Sequence, residues 1–125
     1  MFVLKIVTDF ASAHLLRDYP GDCSRLHGHN WKVEMMVVAR KLNSNGITID
    51  FREIKKQTKV VVKLLDHQYL NEIAPFDKLN PTAENIAKYF FYEVGQLINT
   101  NDVKVKEVTI WETSRASVTY YQGDL

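Results

Sequence analysis

The sequence predicts an α+β fold in which a four-stranded antiparallel sheet carries two helices on one face. Three observations carry this prediction. Extended, largely apolar segments come in consecutive pairs at both ends of the chain, two stripes of helical period fill the middle, and each stripe opens on a helix-start signature. Consecutive strands favour hairpins, so the order strand, strand, helix, helix, strand, strand describes two hairpins joined by a helical pair.

Residues 2–8 read as the first strand. This apolar run is broken by Lys5 and followed by Asp9, so it is too short for a signal peptide or a membrane span. It leads into Phe10-Ala11-Ser12-Ala13-His14. Residues 27–41 read as a second, long strand whose parity places Trp31, Val33, Met35 and Val37 on one buried face. Asn43-Ser44-Asn45-Gly46 supplies turn residues. Asp50, with Glu53 three residues on, resembles an N-cap and its capping-box partner, opening a helix with the stripe Ile54, Val61, Leu64 and Leu65. That helix is expected to stop near Asp66. A second helix is expected from Asn80-Pro81-Thr82, because proline suits a helix start and Glu84 suits the first turn. Its stripe is Ile86, Tyr89, Phe90, Val94, Leu97 and Ile98. Asn99 to Asp102 form a break, and strands over 103–112 and 116–121 close the chain.

A chain of 125 residues is read as one domain, residues 1–125, with room for one real core. A net charge of +1 without a basic run argues against nucleic acid as the main partner. The single cysteine cannot form an internal disulfide, which points to a reducing, cytoplasmic setting. Repeats, low-complexity segments and linkers are not evident.

The chemistry concentrates in Cys23-Ser24-Arg25-Leu26-His27-Gly28-His29. Two histidines spaced by two on a strand point to the same side, and Gly28 leaves room between them. They fall on the face marked as buried by Trp31 and Val33, where unpartnered imidazoles are costly. A metal ion resolves that cost. A catalytic zinc site takes three protein ligands and keeps a fourth position open, and His14 is the natural third ligand. Cys23, four residues before His27, lies close enough to such a cation for its thiol to be acidified. Any one of these residues alone would be read as packing or surface; the histidine pair favours the metal. A closed, structural Cys-His-His-His zinc site remains the alternative. Asp66-His67 places a carboxylate beside an imidazole at a helix end, suited to proton transfer, although such a pair alone is usually a cap. Glu112, after Trp111, can accept two hydrogen bonds from an amino-amidine edge, although alone it reads as a surface residue.

Together, Ala13-His14, Cys-x-x-x-His-Gly-His, Leu65-Asp66-His67-Gln68-Tyr69-Leu70-Asn71, Asn80-Pro81-Thr82-Ala83-Glu84-Asn85 and Trp111-Glu112-Thr113 resemble the 6-pyruvoyl and 6-carboxytetrahydropterin synthase family. The resemblance runs along essentially the whole chain and takes in all four histidines and the one cysteine. It implies that His14, His27 and His29 hold Zn2+, that Cys23 is the proton-abstracting base aided by Asp66 and His67, and that Glu112 anchors a pterin ring flanked by Thr82 and Glu84. Ser24 stands where close relatives often carry glycine. The implied fold is the tunnelling fold, with sheets of three subunits joined into a barrel and two trimers stacked into a homohexamer that has active sites at subunit interfaces. The implied substrate is 7,8-dihydroneopterin triphosphate, whose side-chain diol can ligate zinc. The short chain and the Cys-x-x-x-His-Gly-His spacing resemble the 6-carboxy branch, which releases acetaldehyde and triphosphate on the way to queuosine. The 6-pyruvoyl branch, which stops at triphosphate elimination, is the alternative. Cys23 argues against the variant that carries glutamate at this position. Arg25 is a weak candidate for phosphate and reads better as a solvated loop residue.

Overall fold

The computed structural model describes residues 1–123. Its elements are β1 (Phe2–His14), β2 (His27–Ala39), α1 (Phe51–Leu65), β3 (Gln68–Tyr69), α2 (Ala83–Ile98), β4 (Val103–Thr113) and β5 (Ala116–Tyr121), with the sheet ordered β3-β1-β2-β4-β5. The α+β architecture and the two hairpins are as the sequence predicts. The sheet gains a fifth strand, because β3 pairs in parallel with β1 through Ser12↔Gln68 and Ala13↔Tyr69.

The first strand runs on past Thr8 to His14. Its pairing with β2 is continuous from Phe2↔Ala39 to His14↔His27, and that ladder overrides the weak strand preference of Asp9, Ala11 and Ala13. The second strand stops at Ala39, short of Lys41. There the Arg40 N–H turns to the Asp102 carbonyl at 3.2 Å, and its guanidinium binds the Asp102 carboxylate at 2.8 Å.

Strand parity builds the core. Ile6 and Phe10 of β1, Trp31, Val33, Met35 and Val37 of β2, and Val108 and Ile110 of β4 all face the helices and are buried. Against them pack Ile54, Val61 and Leu65 of α1 and Ile86, Phe90 and Val94 of α2. Each large apolar side chain so buried contributes roughly 1.5–3 kcal/mol before entropy is counted. The opposite face of the sheet stays open and carries Lys5 and Lys32 on either side of Glu34, at 3.5 and 3.7 Å.

Asp50 caps α1 by accepting from the Arg52 N–H at 2.8 Å. The expected capping box does not close, because the Glu53 carboxylate accepts instead from the Gln57 amide at 2.9 Å. The α1 stripe also shifts: Thr58 and Val62 are buried while Leu64 is 53% exposed. At 100° per residue, positions 54, 58, 61, 62 and 65 share one face and position 64 turns away. Thr58 escaped the apolar pattern, and it settles its hydroxyl on the Ile54 carbonyl at 2.7 Å. In α2, Thr82 is the N-cap, accepting from the Asn85 N–H at 3.1 Å, so Pro81 precedes the helix and does not open its first turn. Leu97 is exposed, one position off that helix's buried face. Among the described residues, no helix is long and apolar enough to cross a membrane.

Candidate metal centre and adjoining cleft

Sheet register assembles the histidines. His14 pairs directly with His27 and Ser12 with His29, so the even positions of β1 and the odd positions of β2 turn their side chains to the same face as Trp31. The His14 ring lies 4.6 Å from His27 and 5.0 Å from His29, centroid to centroid, and His27 and His29 are 4.8 Å apart.

Backbone carbonyls orient two of the three rings. His14 Nδ1 donates to the Pro81 carbonyl and His27 Nδ1 to the Arg25 carbonyl, each at 2.7 Å. With Nδ1 protonated, each Nε2 offers a lone pair, and the two Nε2 atoms stand only 3.0 Å apart. Two lone pairs at that distance repel unless a proton or a cation lies between them. The Nε2 of His29 is buried without a hydrogen-bond partner. Glu112 completes the cluster: its Oε1 lies 3.4 Å from His14 Nε2 and 3.3 Å from His29 Nε2. One ligand atom from each of His14, His27, His29 and Glu112 falls within 4.8 Å of all the others. Adjacent ligand atoms in a tetrahedral site with bonds of about 2.05 Å are about 3.3 Å apart. The group therefore fits a metal ion, held by three imidazoles with Glu112 at, or beside, the fourth position.

The local electrostatics favour the ligand form. Burial pushes the pKa values of His14 and His29 below the ordinary histidine value, and neighbouring imidazoles push the same way. The Pro81 carbonyl and Glu112 offset part of this for His14, as Glu112 does for His29. At neutral pH both rings are neutral, as metal ligands must be.

Glu112 reaches the histidines through strand parity and the β2–β4 register, which sets Lys32 opposite Trp111. The β4–β5 pairing passes from Trp111↔Ser117 to Thr113↔Ala116, leaving Glu112 unpaired and on the parity of Val108 and Ile110. Its place among the imidazoles is the feature that sequence reasoning missed. Only the pairing of Lys32 with Trp111 brings position 112 near position 29, and no spacing in the sequence announces it.

A cleft of about 340 Å³ adjoins the cluster and is lined by Leu16, Tyr19, Cys23, Asn80, Thr82 to Glu84, Glu112 and Ala116 to Val118. It gathers four of the residues singled out from sequence: Cys23, Thr82, Glu84 and Glu112. Cys23 is exposed in a 3₁₀ turn, Asp22–Ser24, whose carbonyl at Cys23 accepts from the Leu16 N–H at 2.8 Å. The four-residue metal group is made of the histidines and Glu112, with Cys23 outside it.

Asp66 and His67 lie elsewhere. Asp66 Oδ1 accepts from the Ala11 N–H at 2.9 Å and stands 3.0 Å from His67 Nδ1, while the His67 N–H donates to the Ala11 carbonyl at 2.6 Å. The Ala11 N–H, with His67 behind it, holds the Asp66 carboxyl below the usual carboxylate range. His67 follows the C-cap of α1 and takes a left-handed φ of 57°. Its ring opens into a separate groove beside Ala11, Ala13, Gly28, His29 and Gln68. Within one chain, Cys23 and the Asp66-His67 pair thus occupy different clefts.

Comparison with known proteins places this geometry. Residues 4–123 match the family model described as 6-pyruvoyl tetrahydropterin synthase. A Synechocystis protein named 6-carboxy-5,6,7,8-tetrahydropterin synthase is 29% identical over 130 residues, covering 100% of this chain and 97% of the relative. A Pyrococcus furiosus protein named dihydroneopterin monophosphate aldolase is 34% identical over 109 residues, 87% of this chain and 88% of the relative. The solved structure of Caenorhabditis elegans 6-pyruvoyl tetrahydropterin synthase superposes with a TM-score of 0.85 at 24% identity, over 98% of this chain and 96% of that one, and so shares the fold. The family match spans the histidine cluster, the cleft and every element of the sheet, and by it the chain belongs to the 6-pyruvoyl tetrahydropterin synthase family.

Proposed function

We propose that residues 1–125 form one catalytic domain, a zinc-dependent 6-carboxy-5,6,7,8-tetrahydropterin synthase working in the reducing cytoplasm. It would convert 7,8-dihydroneopterin triphosphate to 6-carboxytetrahydropterin with release of acetaldehyde and triphosphate. The observation that carries this reading is the convergence of three imidazole nitrogens beside a cleft walled by Cys23, Thr82, Glu84 and Glu112.

His14, His27 and His29 would hold Zn2+, which when bound polarises the hydroxyls of the substrate's side chain and acidifies the neighbouring C–H bonds. The other roles fall to side chains. Cys23, exposed in the cleft, takes a carbon-bound proton as thiolate. Thr82 and Glu84 line the wall against the ring, and Glu112 accepts hydrogen bonds from its amino-amidine edge. A carboxylate has two oxygens with about four acceptor sites between them, so Glu112 can face the imidazoles with one oxygen and the pterin with the other.

His67 would reach a neighbouring subunit's cleft. Strand directions alternate across β1, β2, β4 and β5, so the stretch of a neighbour's β1 edge that precedes Ala11, ahead of the part covered by β3, continues the antiparallel order beside β5. In that arrangement the covered His14 end of the neighbour's β1, with His67 on its edge, lies towards the Ala116 end of β5, where the cleft with Cys23 opens. Three such joints would close a barrel and protect β5 and the free stretch of β1, and two barrels stacked would make the homohexamer. Asp66 then holds His67 as a proton carrier for the neighbour's Cys23.

The alternative is the 6-pyruvoyl reaction, and the Pyrococcus furiosus relative adds cleavage of a dihydroneopterin monophosphate. Incubation with 7,8-dihydroneopterin triphosphate, with products read by mass spectrometry and acetaldehyde trapped, separates these readings. Equal amounts of acetaldehyde and 6-carboxytetrahydropterin are expected. A 6-pyruvoyl product without acetaldehyde assigns the other branch, and turnover of the monophosphate alone assigns the aldolase reaction.

A further inference from the structure

The outer edge of β1 is matched, group by group, by one passing segment of chain. Alternate residues of an extended strand turn N–H and C=O to the same edge. Ala11 is met by the Asp66 carboxylate and the His67 N–H, and Ala13 by β3. Beyond His14 the partners are side-chain amides. Asn71 accepts from the Leu15 N–H and donates to the Leu15 carbonyl, both at 3.0 Å. Asn80 does the same to Arg17, at 2.9 and 3.0 Å.

The two asparagines lead the chain to different places. Asn71 is buried in the turn Leu70–Glu72 and clamps Leu15 beside His14, but it does not line the cleft, and the segment from it to Phe76 carries no group bonded to the histidines. Asn80 lines the cleft, and its own carbonyl accepts from the Thr82 N–H and the Asn85 amide, each at 2.8 Å. The next residue, Pro81, supplies the carbonyl that orients His14, and the one after, Thr82, caps α2 and walls the cleft. An amide has one acceptor and one donor set to match a peptide edge; a carboxylate in its place would point an oxygen at the Arg17 carbonyl.

We propose that Asn80 is a positioning residue of this site. By docking both polar groups of Arg17, it fixes together the Pro81 carbonyl that orients His14 and the Thr82 cap that shapes the cleft. The proposal deepens the reading of the cleft as a pterin site and rests on it. Asn71 is the built-in control: it clamps the β1 edge even closer to His14 but carries neither the Pro81 carbonyl nor the Thr82 cap, so it separates a role through those groups from a role through the edge alone.

The test compares the full-length protein with Asn80→Asp and Asn71→Asp, each loaded with cobalt(II) in place of zinc. Both variants lower the melting temperature. Asn80→Asp alone shifts the visible cobalt absorption, weakens cobalt affinity by about tenfold and weakens sepiapterin binding. A cobalt spectrum and affinity in Asn80→Asp equal to those of wild type, or altered equally in Asn71→Asp, overturn the proposal. If Asn80→Asp does not fold, Asn80→Ser is read by the same criteria. A wild type that binds cobalt without binding sepiapterin would sink the pterin reading, while the cobalt spectrum still decides the role of Asn80.

Discussion

Two histidine sites in this molecule stand about as far apart in character as the fold allows. His14, deep in the sheet–helix layer, has a side chain 1% exposed, and burial lowers its pKa along with that of His29. His67 sits at a corner with a side chain 83% exposed, its backbone left-handed and its ring against Asp66. The first environment removes water and keeps imidazoles neutral, which suits metal ligands. The second keeps a ring in contact with solvent beside a carboxylate, which suits proton transfer. One side-chain type is thus given two environments by desolvation and by the partner of its other nitrogen, and the proposed function assigns a different task to each.

The comparison can be broken most sharply at the group that lies between the two sites in function. Cys23→Ala removes the proposed base without touching the metal group, so turnover is expected to fall by about 10²–10⁴ while metal content and oligomeric state stay as in wild type. Loss of metal in this variant would favour the closed Cys-His-His-His site. Next is Glu112→Gln, which keeps shape and replaces one acceptor by a donor. Sepiapterin affinity should weaken by roughly 2 to 5 kcal/mol, with metal content unchanged. Metal loss with pterin binding retained would make Glu112 a ligand and not a ring anchor.

At the corner, His67→Asn should fold as wild type does, because asparagine accepts left-handed backbone and the Ala11 contact is made by the main chain. Its turnover should nonetheless drop, because the proposed proton carrier is lost. A variant as active as wild type would leave His67 a cap alone.

The smallest effect is a pH dependence that separates the two regions. The folded pKa values of His14 and His29 are depressed, so below about pH 6.5 the unfolded chain takes up protons that the folded one refuses. Metal-free protein should therefore lose stability as pH falls from 7 towards 5.5 and change little above 7. The depressed carboxyl of Asp66 contributes above the ordinary carboxylate range, and its contribution is lost only as pH falls below about 4 through its lowered folded value. Urea midpoints across pH resolve the windows, and His14→Asn should flatten the upper one.

How much of this the chain announces depends on whether a feature is local. The His27-Gly28-His29 parity, the Asp50 cap and the Ile86, Phe90 and Val94 stripe are written within a few residues of each other, and the fold honours them. The long first strand was hidden because Ala11, Ser12 and Ala13 carry little strand preference, and only pairing with β2 makes them one. Gln68–Tyr69 is a strand solely because the segment from Asp66 to Asn80 is stitched to the edge of β1. The site divides in the same way: the convergence of the three histidines was legible, while the approach of Glu112 depends on the β2–β4 register. The separation of His67 from Cys23 likewise belongs to sheet order, which no local pattern encodes.

The account turns on a metal held by three converging imidazoles, and metal analysis of the purified protein beside His27→Ala measures it directly. About one zinc per chain is expected in wild type, with most of it lost in His27→Ala. Full metal retention in His27→Ala, or a wild type that takes up none when zinc is supplied, would contradict the account.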